Sequence, residues 1–220
     1  VVEAILIASS QETGYGQICA RPSDWADRWK GALPNVMSIR TPRRFPPRFA
    51  EGGWNEASST VDAEAVALIP RVYQALLSGT PRVLLAARRI VSASMRSDND
   101  DVTIDACIGI EALVGKETDE VTHRMAQRAA VALAKGGNPI DPELVYGLVK
   151  DIYANRSAIV HGAAERKRKP IILGDMQHDT STIAPILLRA LLRSWVEFGW
   201  TPESLDLELL RGVRAEPNAD

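Results

Sequence analysis

The sequence predicts an all-α protein, a bundle of helices behind a less regular N-terminal segment. Three observations carry that prediction. From Val61 onward apolar residues recur with the helical period. Most periodic stretches are preceded by Ser, Thr or Asp, and most are followed by glycine. The composition, 45% hydrophobic and 25% charged over 220 residues, is that of a globular chain able to bury a substantial core.

Residues 1–60 form the irregular extension, 61–215 the helical domain and 216–220 a frayed tail. In the extension, Glu3-Ala4-Ile5-Leu6-Ile7-Ala8 fits either a short helix or one strand. Trp25 and Trp29 stand one helical turn apart and can share a packing face. Pro42, Pro46 and Pro47, mixed with Arg40, Arg43, Arg44 and Arg48, exclude regular structure and read as a linker rather than a basic arm.

The helices follow in order. Thr60 or Asp62 caps a first one that runs to Gly79, with Val66, Ile69, Val72 and Leu76 on one side. Pro70 falls inside it, so a kink or break is expected there. Thr80-Pro81 opens a second helix through Met95. The Asp98-Asn99-Asp100-Asp101 run caps a third, which ends at Gly115 and is apolar nearly all round, as a central helix should be. Thr118-Asp119-Glu120 opens a fourth, lined by Val121, Met125, Ala129 and Ala132 and stopped by Gly136-Gly137. A fifth starts at Asp141-Pro142-Glu143 and continues to His161, with Gly162 as terminator. After a polar connection, Ser181 to Phe198 forms a leucine-rich sixth, and Thr201-Pro202-Glu203 begins a seventh.

Charge and cysteine content narrow the function classes. A net charge of -2 gives no global attraction to nucleic acid, so any RNA contact must be local. Cys19 and Cys107 are too few for a disulfide framework or a thiolate metal site, and Cys107 reads as a small core residue. A reducing, cytoplasmic compartment is expected, with no membrane partner. The start at Val1 lacks the basic opening of a secretory signal, and without Met it points to a longer parent chain. His123 and His178 have no companions at metal-ligand spacing, and no phosphate-binding glycine loop or nucleophile elbow is present, so no cofactor or metal is expected.

The fifth helix carries the most informative feature. Its apolar stripe runs Leu144/Val145, Leu148/Val149, Ile152 and Ile159/Val160, and Arg156 occupies the position that continues it. A guanidinium there requires a carboxylate, a second subunit or a phosphate. Glu111 is the internal candidate, on the inner face of the central helix. His161 follows Arg156 by five residues, roughly 140° of helical rotation, and unwinding at Gly162 would let it swing back. Ser157, one turn before His161, is placed to orient the imidazole, and Asn155 flanks the pair. Beyond lies the cationic run Arg166-Lys167-Arg168-Lys169, able to hold a polyanion such as RNA, while Arg124 and Arg128 form an i,i+4 pair on what is ordinarily a solvated face and are further candidates for RNA contact.

Three segments in succession resemble those of Apea-like HEPN domains. Asp105-Ala106-Cys107-Ile108-Gly109-Ile110-Glu111-Ala112-Leu113-Val114-Gly115 is similar to the family's Leu-Glu-Ala-Leu helix, with Ile110 where Leu is frequent. His123-Arg124-Met125-Ala126-Gln127-Arg128-Ala129-Ala130 resembles the next helix. Ile152-Tyr153-Ala154-Asn155-Arg156-Ser157-Ala158-Ile159-Val160-His161-Gly162 looks like the terminus that bears the Arg-x4-His motif. The matches cover 84–162, well under half of the chain.

The resemblance implies a HEPN-type helical bundle that dimerises through the Arg-x4-His helix. It also implies Arg156 and His161 as catalytic residues of a metal-independent endoribonuclease of a bacterial defence or toxin–antitoxin system. Glu111, Tyr153, Asn155 and Ser157 would support them, and an antitoxin or sensor partner is in keeping. The alternative is a non-catalytic HEPN dimer that binds RNA, a nucleotide or a partner protein.

Overall fold

The structure, a computed structural model, describes residues 1–15, 18–20, 37–39, 45–50, 60–116, 121–135, 140–162 and 170–211. Its elements run α1 (Val2–Ser9), β1 (Ile18–Ala20), β2 (Met37–Ile39), α2 (Pro47–Ala50), α3 (Ala63–Leu77), α4 (Pro81–Ser94), α5 (Asn99–Val114), α6 (Val121–Lys135), α7 (Pro142–Val160), β3 (Ile171–Leu173), β4 (Met176–His178), α8 (Thr180–Phe198) and α9 (Pro202–Arg211). The two strand pairs are short antiparallel hairpins, and helix dominates. The chain is an all-α bundle with a less regular N-terminal segment that includes short strands.

The caps follow the side-chain chemistry anticipated for them. Asp62 accepts from the Ala65 amide at 2.6 Å, Asp98 from the Asp100 amide at 2.8 Å, and Asp141 from the Glu143 amide at 2.9 Å. Thr201 and Ser204 cap α9 reciprocally, each hydroxyl accepting from the other's amide. Gly199 ends α8 at φ 59°, a left-handed conformation that costs glycine little. Glu3–Ala8, open between strand and helix in the sequence, is helical, and Ala4 and Ile7 are fully buried in the common core.

Two expectations for α3 are corrected. Pro70 lies inside one continuous helix and does not break it. Proline there takes a donor from the Val66 carbonyl, but Pro70 and Val66 are both exposed, where a freed carbonyl is cheap to leave unpaired. Val66, expected on the inner stripe, is 53% exposed, while Val72 and Leu76 are buried. The connection after α7 is also more structured than a polar loop. Ile171-Ile172-Leu173 and Met176-Gln177-His178 pair in register around the two-residue turn Gly174-Asp175.

α5 sits at the centre, between α4 on one side and α7 and α8 on others. Gly109 makes that packing possible, since a Cβ at this position would overlap Leu188 Cδ2 of α8. The buried Asp105 draws Arg89 (2.6 Å) and Arg96 (2.9 Å) from the α4 side onto the same helix. Arg82 Nε donates to the Ala112 carbonyl at 2.8 Å and so satisfies part of the C-terminal end of α5. Buried Trp200 donates to Ser194 Oγ at 3.0 Å, and Ser194 donates to the Ala132 carbonyl at 2.6 Å. That relay joins α8 to α6. The Trp25/Trp29 pair, residues 40–44 of the proline-arginine stretch, the cap at 118–120, the stop at 136–137 and the 216–220 tail lie outside the described residues; the end of that stretch, expected to exclude regular structure, is corrected by α2, which begins at Pro47, because proline suits a first helical turn.

Candidate functional site

α7 holds the site because its stripe ends in polar residues rather than apolar ones. Val145, Leu148, Val149 and Ile152 are buried, and the next inward position is taken by Asn155 at 5% exposure. Asn155 Nδ2 donates to Thr180 Oγ1 at 2.6 Å, which fixes the last turns of α7 against the first turn of α8. Asn155 is therefore a positioning residue. Arg156, which the stripe placed on the inner face, sits half-buried beside it.

Arg156 is not neutralised as expected. Among the described residues no ion pair joins it to Glu111, and its Nε is shut off from solvent with no acceptor. Glu111 Oε1 is likewise buried and without a partner. What lies against Arg156 is Tyr153, whose ring centroid is 5.6 Å from the guanidinium carbon.

Tyr153 connects the two charges. Burial, then a hydrogen bond from its hydroxyl to the Glu111 carboxylate, push its pKa up to about 12, against the opposing charge of Arg156. Burial and the Glu111 charge push the Cys107 thiol up to about 12 as well. Cys107 also lies 3.9 Å from the Ile152 carbonyl. Both groups stay protonated near neutrality, so Tyr153 acts as a donor to Glu111 and Cys107 is no thiolate nucleophile. The α5–α7 seam thus contains a carboxylate and a guanidinium with one unsatisfied atom each, bridged by a neutral phenol.

His161 is exposed and caps α7. Its amide still donates to the Ser157 carbonyl at 3.0 Å, so the chain leaves the helix only at Gly162, at φ 67°. This corrects the expectation that unwinding carries His161 toward Arg156: the roughly 140° between them is retained. Nor does Ser157 orient the ring, because the contact it makes with His161 is through the backbone. Among the described residues no hydrogen bond, ring contact or ion pair joins the imidazole to Arg156.

The basic residues separate. Arg128, expected on a solvated face with Arg124, is 2% exposed. It holds Asp206 of α9 through Nε at 2.6 Å and Nη2 at 3.0 Å, and the Val114 carbonyl through Nη1 at 2.9 Å. It is a buried tie between α6, α5 and α9 and offers nothing to RNA. Its partner lies 78 residues away, so no local pattern could have exposed the role. Arg124 is exposed. Arg166, Lys167, Arg168 and Lys169 lie outside the described residues. His123 is engaged by the Tyr146 hydroxyl at 2.7 Å, and His178 ends β4 immediately before α8.

No protein-family profile, curated protein or solved structure matches this chain. Among the described residues no helix is long and apolar enough to cross a membrane.

Proposed function

We propose that this chain is an endoribonuclease of the Apea-like HEPN type, acting without a metal as a cytoplasmic homodimer in a bacterial defence or toxin–antitoxin system. The observation that carries the reading is Arg156. A half-buried guanidinium with a solvent-shielded Nε and, among the described residues, no carboxylate pair costs free energy. An arriving phosphate would meet this guanidinium through its Nη groups, since Nε itself is shut off from solvent. A helical adaptor, by contrast, would satisfy that arginine internally with Glu111.

In this reading Arg156 stabilises charge building on the phosphodiester, and Glu111 with Tyr153 holds the seam in which it stands. An exposed imidazole such as that of His161 accepts the proton of the ribose 2'-OH as that oxygen attacks the adjacent phosphorus. The 5'-oxygen leaves with a proton from the same imidazole of a second copy of the chain. The products are a 2',3'-cyclic phosphate and a free 5'-hydroxyl. The separation of His161 from Arg156 around α7 favours a site completed between two copies over one within a single chain. It equally suits the second reading, a dimer that binds RNA, a nucleotide or a partner protein without cutting.

Cleavage of a mixed RNA pool in EDTA separates them. Wild type should cut and leave cyclic phosphate ends, and Arg156→Ala and His161→Ala should each lose about a hundredfold or more in rate. Intact RNA with folded, dimeric wild type would move the assignment to the non-catalytic dimer.

A further inference from the structure

Two opposite charges share the α5–α7 seam and do not pair. Arg156 Nε and Glu111 Oε1 are both shut off from solvent, and among the described residues neither has a partner. They are neighbours all the same. Burial raises the Cys107 thiol most, and beyond that the Glu111 charge raises it while the Arg156 charge lowers it. The Tyr153 hydroxyl, after burial, stands between the same opposing charges. Cys107 and Glu111 are one turn apart on α5, and Tyr153 and Arg156 are three residues apart on α7, so each pair shares a helix face. Opposite charges shielded from water attract strongly, and joining them would satisfy both orphaned atoms at once. A competing contact has to hold them apart.

Tyr153 touches both. Its hydroxyl donates to the Glu111 carboxylate, and its ring lies against the guanidinium with the centroid 5.6 Å from the guanidinium carbon. The hydroxyl gives Glu111 a neutral donor and so reduces its demand for a cation. The ring face holds Arg156 by its positive charge without neutralising it. A carboxylate in the same place would cancel that charge, whereas the ring leaves it for an incoming anion. Cys107, which feels both charges too, directs its thiol to the Ile152 carbonyl at 3.9 Å instead.

We infer that Tyr153 is a positioning residue for an anion site at Arg156: its hydroxyl occupies Glu111 and its ring carries the guanidinium, so that Arg156 stays unpaired and open to an anion. That the anion is an RNA phosphodiester rests on the reading proposed above; what keeps Arg156 from being neutralised from within does not.

Tyr153→Phe tests it, because this change keeps the ring and removes only the hydroxyl. Glu111 should then turn to Arg156. The coupling between the two, read by urea unfolding of Arg156→Met, Glu111→Gln and the double variant, should be larger in the Tyr153→Phe background than in the wild-type background by about tenfold or more in the unfolding constant. Binding of a 2'-O-methyl RNA, which cannot be cut by 2'-OH attack, should weaken about tenfold or more in Tyr153→Phe and return in Tyr153→Phe/Glu111→Gln. A merely structural tyrosine would not show that rescue. The unfolding measurement involves no RNA, so the two readings fail separately. A coupling unchanged by Tyr153→Phe, or RNA binding that Glu111→Gln fails to restore, overturns the inference. A coupling that rises as expected in a protein that binds no RNA supports the role of Tyr153 and overturns the ribonuclease reading.

Discussion

A guanidinium nitrogen shut off from solvent with no acceptor is expensive to keep, and among the described residues Arg156 keeps one. Methionine has similar length without the charge or the unsatisfied N–H. Arg156→Met should accordingly leave the melting temperature unchanged or raise it, while RNA cleavage or RNA binding is lost. A fall in stability of more than about 2 kcal/mol in urea would instead make Arg156 a structural residue. The neighbouring tyrosine is a second residue-scale probe. Because the Glu111 hydrogen bond and charge both hold Tyr153 up near 12, Glu111→Gln should lower that pKa. Ultraviolet titration of Glu111→Gln, with Tyr153→Phe as the subtraction, reads the change. No movement would mean that burial alone raises it.

At the scale of elements, α9 is held to the bundle by one buried contact and a row of ion pairs. Leu205 is fully buried, Arg128 pairs with Asp206, Lys116 with Glu203 and Asp206, and Lys135 with Glu208. The hydrogen bond from Arg128 depresses the Asp206 pKa most, aided by Lys116, and Glu203 and Glu208 are lowered too. A carboxylate depressed in the folded state contributes stability that is present above its unfolded pKa, about 4, and lost as pH falls through the folded value. Unfolding monitored from pH 6 down to pH 2 should show α9 loosening in acid. Asp206→Ala should flatten that acid limb and cost about 3 kcal/mol at neutral pH, because Arg128 remains buried without its carboxylate. If the acid limb is unchanged, other carboxylates control it. The α5–α8 crossing gives a complementary test. Gly109→Ala adds a methyl against Leu188, and denaturant unfolding should show a loss of about 1–3 kcal/mol despite the better helix propensity of alanine.

At the scale of the whole molecule, the exposed His161 and the proposed dimer would make the proposed ribonuclease activity a property of two chains. Specific activity should fall on dilution below the dimer dissociation constant, and light scattering over the same range should show the monomer appearing in step. A specific activity independent of concentration would place the whole site in one chain. The same scale decides what could be read beforehand. Helix boundaries were legible because their causes are local: Asp62, Asp98 and Asp141 bond amides two or three residues ahead, and Gly115, Gly162 and Gly199 stand where helices end. The Gly174-Asp175 hairpin was equally local, but its short flanking runs, Ile171–Leu173 and Met176–His178, are easily passed over as loop. The stripe on α7 located the Arg156 region, but whether Arg156 found Glu111 depended on how α5 and α7 pack. Arg128 shows the limit most clearly. By its neighbours in sequence it is a surface cation, and only α9, folding back against α6 and α5, makes it a buried ion pair. The sequence by itself determined which segments after Val61 are helical and that Arg156 interrupts the apolar stripe of α7, because caps, breakers and period act over one or two turns. Only the tertiary structure decided which charges are neutralised and which stay unpaired, because solvation and charge pairing depend on groups brought together from distant parts of the chain.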